Sequence, residues 1–215
     1  MMNPVLILAF LVSGQGTTMN AVIEACERGE INARVGVVIS NNSRCGARQI
    51  AENKGILFYH VSSFTNPDES DHNERIIILL RQHSVNLVIL AGYLKKVRSP
   101  ILQEFTTLNI HPSLLPKYGG ENMYGRRVHE EVLKNKEIFT GVTVHHVNDE
   151  YDMGDIIAQS QVRVFDSDSV ETLESRVKLA GNALLVNVLK NYCNAHTFCS
   201  DVIQINDCGK RRRCE

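Results

Sequence analysis

Three apolar runs constrain the fold of this chain more than any other feature: PVLILAFLV from Pro4 to Val12, ARVGVVIS over residues 33–40, and NLVILAGY over 86–93. Each is close to continuously apolar, which suits a strand buried on both faces and not one with a wet side. Helical patterns separate them. Val22, Ile23 and Cys26 repeat at helical spacing with Gly29 as a stop, a second helix is predicted from about Arg44 to Lys54, and a third from Glu69 to His83. A short run, ILFYHV, lies between the second and third. Strand–helix alternation of this kind builds a parallel sheet covered on both faces, with any ligand crevice along one edge.

The second half changes pattern. A loop bounded by Pro112 and Pro116 leads into a predicted helix from Tyr124 to Lys134. TGVTVHHV then alternates like a strand with one exposed face, and DIIAQSQVRVF is its expected partner. An acid-rich connection, VNDEYDMG, joins them, and a last helix from Val170 to Tyr192 turns strongly apolar at Ala180. The expected fold is α/β: a single-domain, mostly parallel twisted sheet with helices on both faces and antiparallel strands near the C-terminal half. Residues 193–215 are expected to form a tail.

Composition narrows the function classes. The 215 residues are 43% hydrophobic and 22% charged, with a formal net charge of −1, which gives no reason to expect a nucleic-acid or membrane partner. The run Pro4–Val12 is too short for a bilayer and lacks the basic flank of a signal peptide. No two of the six cysteines are spaced C-x-x-C, so free thiols in a reducing cytoplasm are expected. Four of them (Cys193, Cys199, Cys208 and Cys214) fall with His196 at irregular spacings in the tail, and the histidines lack H-E-x-x-H spacing. No metal is expected.

Three places hold candidate chemistry. SGQGTTMNAV turns from the first strand through Gly14 and Gly16 into a helix start at Thr17 and Thr18. Free backbone N–H groups there suit a phosphate, or the turn is only tight and one of the threonines caps the helix. TTLNIHPSLLPKYGG puts Asn109 and His111 two residues apart on one strand, and so on one face. Asn109 offers a donor to an oxyanion and His111 a proton near neutral pH, or the pair closes a turn. The acidic connection carries Asp149, Glu150, Asp152 and Asp155; Glu150 and Asp155 are expected to be merely solvated, and the sequence alone does not say which acid is brought against His111.

Taken together, SGQGT, LVILAGYLKKV, LNIHPSLLPKYGG, MYGRRVHE and GVTVHHVNDEYDMGDIIAQ resemble the folate-dependent formyltransferases over about residues 4–190. The resemblance implies a Rossmann-like formyltransferase domain over residues 1–192. It further implies transfer of the formyl group of 10-formyltetrahydrofolate, a co-substrate, to a primary amine, with glycinamide ribonucleotide of purine biosynthesis as the leading acceptor. By likeness the catalytic residues are Asn109, His111 and Asp152, with His145 in support. The acceptor phosphate falls to Gly14, Gly16, Thr17 and Thr18, and the folate to Leu94, Lys95, Val97, Asn148, Asp149, Glu150 and Tyr151. Asp152 would keep the His111 imidazole charged. The implied partners are small molecules, with the chain a monomer or homodimer.

The chain departs from the family pattern on the acceptor side. Thr18 replaces an Asn, FTNPDES has no Arg, and KLAGNALL sets Gly181 where an acid is usual. Two alternatives follow from this: a different phosphorylated amine, such as an amino sugar nucleotide, or a folate-binding protein without turnover.

Overall fold

The computed structural model describes residues 5–66 and 68–199. Its centre is one seven-stranded sheet in the order β3-β2-β1-β4-β5-β6-β7. The strands are β1 (Leu6–Val12), β2 (Ala33–Ser40), β3 (Leu57–His60), β4 (Leu87–Leu90), β5 (Thr106–His111), β6 (Phe139–His146) and β7 (Ile156–Arg163). Pairing is parallel from β3 through β5 and antiparallel across β5–β6 and β6–β7. The helices are α1 (Thr17–Glu27), α2 (Gly46–Asn53), α3 (Glu69–Gln82), α4 (Ile101–Glu104), α5 (Arg126–Lys134) and α6 (Val170–Cys199). The short α4 had no signal in the sequence.

The two-residue period of β1 builds two cores at once. Leu8, Phe10 and Val12 point into a core with Met19, Val22 and Ile23 of α1 and Leu185 and Leu189 of α6. Ala9 and Leu11 point the other way, against Ile76, Leu79 and Leu80 of α3 and Ile101 of α4. A smaller core joins Val132 of α5, Val142 and Val162 of the antiparallel strands, and Leu173 and Val177 of α6. It is continuous with the first through Ile110 and Leu184, so α1, α5 and α6 cover one face of the sheet.

Two expectations need correcting. β6 does not have one exposed face: from Thr140 to His145 every residue is buried. It lies between β5 and β7 with α6 across it, and the Pro-bounded loop covers its polar side. There the Thr143 hydroxyl accepts N–H bonds from Leu115 (3.1 Å) and Gln159 (2.9 Å) and donates to the Ser113 carbonyl at 2.7 Å. The alternation with a wet face belongs instead to β7, at the edge of the sheet. The last helix also runs beyond Tyr192 to Cys199. Cys208, Cys214 and the closing KRRR lie outside the described residues, as do the side chains of His196 and Cys199. Among the described residues no helix is long and apolar enough to cross a membrane.

Candidate active site

The C-terminal ends of β1, β4 and β5 open into one cleft of about 610 Å³, a volume suited to small organic ligands. Its floor carries Asn109 and His111, and its walls come from the turn after β1, the loop after β4, the β6–β7 connection and α5 and α6.

Strand pairing assembles the centre. β5 and β6 are antiparallel in a register that sets Asn109 opposite His145. The Asn109 amide nitrogen lies 3.0 Å from His145 Nε2. His145 Nδ1 is 2.7 Å from the His146 carbonyl oxygen, which can only accept, so the ring proton sits on Nδ1 and Nε2 receives the Asn109 N–H. The second hydrogen of the same amide reaches Asp152 Oδ1 at 3.3 Å. Asp152 arrives from the β6–β7 connection with φ +56°, a left-handed backbone that Asp tolerates better than most residues. Its Oδ2 accepts the Gly120 N–H at 2.9 Å and stands 3.4 Å from His111 Nδ1. The far nitrogen of His111, Nε2, donates to the Tyr118 carbonyl at 2.7 Å.

Burial and charge compete within this cluster. His111 is 4% exposed, and loss of hydration pushes its pKa below 6.5 even though Asp152 and the Tyr118 carbonyl act to raise it. The ring is therefore neutral at neutral pH, against the expectation that Asp152 keeps it charged. Burial also works to raise the Asp152 carboxyl, but the neighbouring His145 and His111 and the Gly120 N–H outweigh it and hold the group below 3.8. The result is a carboxylate facing a neutral imidazole whose Nδ1 has room for a proton.

The turn after β1 differs from the threonine-cap reading. Gly16 is the N-cap of α1, at φ +73°, and no side chain caps the helix. A Cβ at Gly16 would lie 2.7 Å from the Ala47 Cβ, so both conformation and space require glycine there. The first-turn N–H groups of α1 thus have no side-chain acceptor, and Gly14, Gly16, Thr17 and Thr18 all line the cleft. The Ser13 hydroxyl accepts the Leu94 N–H at 2.9 Å and ties this turn to the loop after β4.

Leu94, Lys95, Val97, Asn148, Glu150 and Tyr151 also line the cleft. Asp149 does not: its carboxylate turns away and accepts the Ser99 N–H at 3.3 Å. Lys96, absent from the expected set, lies 4.6 Å from the Tyr151 ring centroid and bridges the two loops. His129 of α5 is a second addition, 2% exposed and at the cleft wall. Tyr118 and Gly120 act through backbone groups, which no side-chain pattern announces.

An α/β sheet that presents an Asn–His–Asp cluster beside a helix N-terminus defines a class of acyl-transfer domain, and sequence comparison gives that class a name. The profile of the formyl transferase family matches residues 6–189, and the chain belongs to that family. It is 38% identical over 189 residues to the chloroplastic phosphoribosylglycinamide formyltransferase of Arabidopsis thaliana, a match covering 86% of this chain and 65% of that one. With the phosphoribosylglycinamide formyltransferase of Haemophilus influenzae it shares 39% identity, over 80% of this chain and 79% of the other. The crystal structure of glycinamide ribonucleotide transformylase 1 from Symbiobacterium toebii superposes with a TM-score of 0.83 at 31% identity, covering 89% of each chain. The chain therefore spans somewhat under two thirds of the Arabidopsis relative it matches.

Proposed function

We propose that this protein transfers the formyl group of 10-formyltetrahydrofolate to the primary amine of glycinamide ribonucleotide, a step of purine biosynthesis. The observation that carries the reading is the cluster of Asn109, hydrogen-bonded to Asp152, and His111, with Nδ1 3.4 Å from the same carboxylate, between an anion-binding turn and a loop-lined cleft. The names of relatives in plants and bacteria agree with it. Cys26 and Cys45, which form no disulfide among the described residues, accord with a reducing, cytoplasmic setting.

Formyl transfer joins the acceptor nitrogen to the formyl carbon, breaks that carbon's bond to the folate nitrogen, and moves one proton from the first nitrogen to the second. Asn109 meets the charge that develops on the formyl oxygen. Its bond to His145 fixes the amide plane, and the longer bond to Asp152 is the one an oxyanion takes over. Asp152 accepts the proton of the attacking amine and returns it to the departing nitrogen, directly or through a water. His111, with Nε2 donating to the Tyr118 carbonyl, has Nδ1 3.4 Å from the same carboxylate and can hold that one proton in transit, so that an imidazolium faces the developing negative charge until Asp152 hands the proton on to the departing nitrogen. Gly14, Gly16, Thr17 and Thr18 hold the acceptor phosphate. Leu94, Lys95, Val97 and the loop from Asn148 to Tyr151 hold the folate, with Asp149 bracing that loop through Ser99.

The test is steady-state formyl transfer from 10-formyltetrahydrofolate with and without glycinamide ribonucleotide. Acceptor-dependent release of deformylated folate is expected. Folate binding without turnover on this acceptor, but with turnover on another phosphorylated amine, overturns the choice of acceptor. Absence of turnover on any amine overturns the enzyme reading.

A further inference from the structure

Two backbone groups of one loop hold the catalytic cluster. The Tyr118 carbonyl accepts the His111 Nε2–H at 2.7 Å, and the Gly120 N–H donates to Asp152 Oδ2 at 2.9 Å. The start of that loop is pinned to the sheet by Thr143, which bonds Ser113 and Leu115, and by Gln159, which donates to the Leu115 carbonyl at 3.0 Å. The part that touches the cluster is held differently. The Ser113 hydroxyl donates to the Lys117 carbonyl at 2.5 Å, and Tyr118 then takes a left-handed backbone, φ +56°. Such a conformation costs a non-glycine residue on the order of 1–3 kcal/mol and persists only where the surroundings impose it.

The side chain of Tyr118 leads to what imposes it. Its ring packs against the core between α5 and β6, and its hydroxyl donates to Glu137 Oε1 at 2.9 Å. Glu137 does not line the cleft. It sits in the turn between α5 and β6, where its N–H donates at 3.2 Å to the carbonyl of the fully buried Val132. Lys117 reaches the same Glu137 oxygen at 2.9 Å, but its side chain is 69% exposed, and a pair so wet adds little. Desolvation and then the Glu137 carboxylate push the Tyr118 phenol up to about 12, while Lys117 and Tyr118 hold Glu137 below 4.5. At neutral pH the donor is therefore always protonated and the acceptor always ionised.

We propose that Glu137 is a positioning residue for formyl transfer: through the Tyr118 hydroxyl it holds the Tyr118 carbonyl on His111 and so decides which ring nitrogen carries the proton. The inference rests on the formyl-transfer reading. A carbonyl can only accept, so it keeps the ring proton on Nε2 and leaves Nδ1 facing Asp152 at 3.4 Å, open to the proton in transit. Once the carbonyl withdraws, the neutral ring can place its proton on Nδ1, towards the carboxylate, and that berth is filled. The Gly120 N–H lies two residues further along the same backbone, so the carboxylate is disturbed together with the imidazole.

The test combines steady-state formyl transfer with nitrogen NMR of the histidine rings above their titration range, for Glu137→Ala, Glu137→Gln and Tyr118→Phe. Urea unfolding checks that each variant is folded under assay conditions. Glu137→Ala and Tyr118→Phe should each lower kcat about three- to tenfold, with both KM values changed less than about twofold. The double variant should be no slower than either single one, because both break the same bond. Glu137→Gln keeps an oxygen for the hydroxyl and should retain kcat to within about twofold. His111 should be the Nε2–H tautomer in the wild type and move towards Nδ1–H in Glu137→Ala. An unchanged kcat in Glu137→Ala or Tyr118→Phe overturns the proposal, and so does a KM rise at constant kcat. A tautomer that stays on Nε2 in Glu137→Ala overturns it too, as does a Glu137→Gln variant as slow as Glu137→Ala. A tautomer shift in a protein that turns over no amine supports the Glu137 contact and overturns the formyl-transfer reading alone.

Discussion

Asn109 commits both hydrogens of one amide nitrogen inside the protein, to His145 and to Asp152, and so is oriented before any ligand arrives. Asn109→Ala removes the donor without touching the folate loops. It should lower kcat by about 10²–10³-fold with folate affinity little changed, measured by steady-state kinetics beside equilibrium binding. Gly16 makes a conformational demand. Its φ is +73°, and the Ala47 Cβ stands only 2.7 Å from where a side chain would begin. Gly16→Val should therefore cost about 1–3 kcal/mol in urea unfolding and weaken phosphate binding. At this scale the N-x-H spacing on a strand is legible in the sequence, because side chains alternate and local geometry suffices. The third member is not. Spacing does not choose between the acids of the connection, Asp149 and Asp152 above all, and they separate only when the connection folds back. Asp152 then meets the Gly120 N–H while Asp149 turns to Ser99.

β6 shows how an element takes its character from its neighbours. Its alternating letters promise one wet face, yet Thr143 is fully buried because three partners from the 113–115 loop and β7 satisfy its hydroxyl. Thr143→Val keeps the shape and strands those partners. It should destabilise the protein by about 1–3 kcal/mol and lower the urea midpoint, read by circular dichroism. α6 is the opposite case, since its apolar stretch from Ala180 already predicts deep packing. Leu185→Ala should cost about 2–5 kcal/mol, because Leu185 is fully buried between α6 and the β1 core. Parallel strands and long amphipathic helices are readable since each carries its own period. The brief α4 has too few residues to show one, and the edge position of β7 is a property of the assembled sheet.

Across the whole molecule, acid should act in two steps. Burial holds the pKa of both His111 and His129 below 6.5, so the unfolded chain binds protons that the native protein refuses as pH falls through that region. Stability is thus full above the ordinary histidine range and declines as pH drops through it. Asp152 lies below 3.8 in the native state, so its contribution persists above the ordinary carboxylate value and is lost as pH falls through the lower native one. Urea midpoints measured from pH 8 to 3 should trace both declines, and His129→Asn should flatten the upper one. A flat profile between pH 7 and 5 would contradict the burial argument.

Local order along the chain was enough for the α/β class, the parallel first half, the spans of α1, α2, α3 and α5 to within a few residues, and the Asn109–His111 pair. These depend on periodicity, turn residues and nearest neighbours, all of which sequence order carries directly. Long-range contact was needed for the rest: which acid joins the pair, that β6 is buried on both faces, and that a glycine, not a threonine, caps α1. Each of these is decided by residues far apart in sequence competing for the same few ångströms, and that competition exists only once the chain has closed on itself.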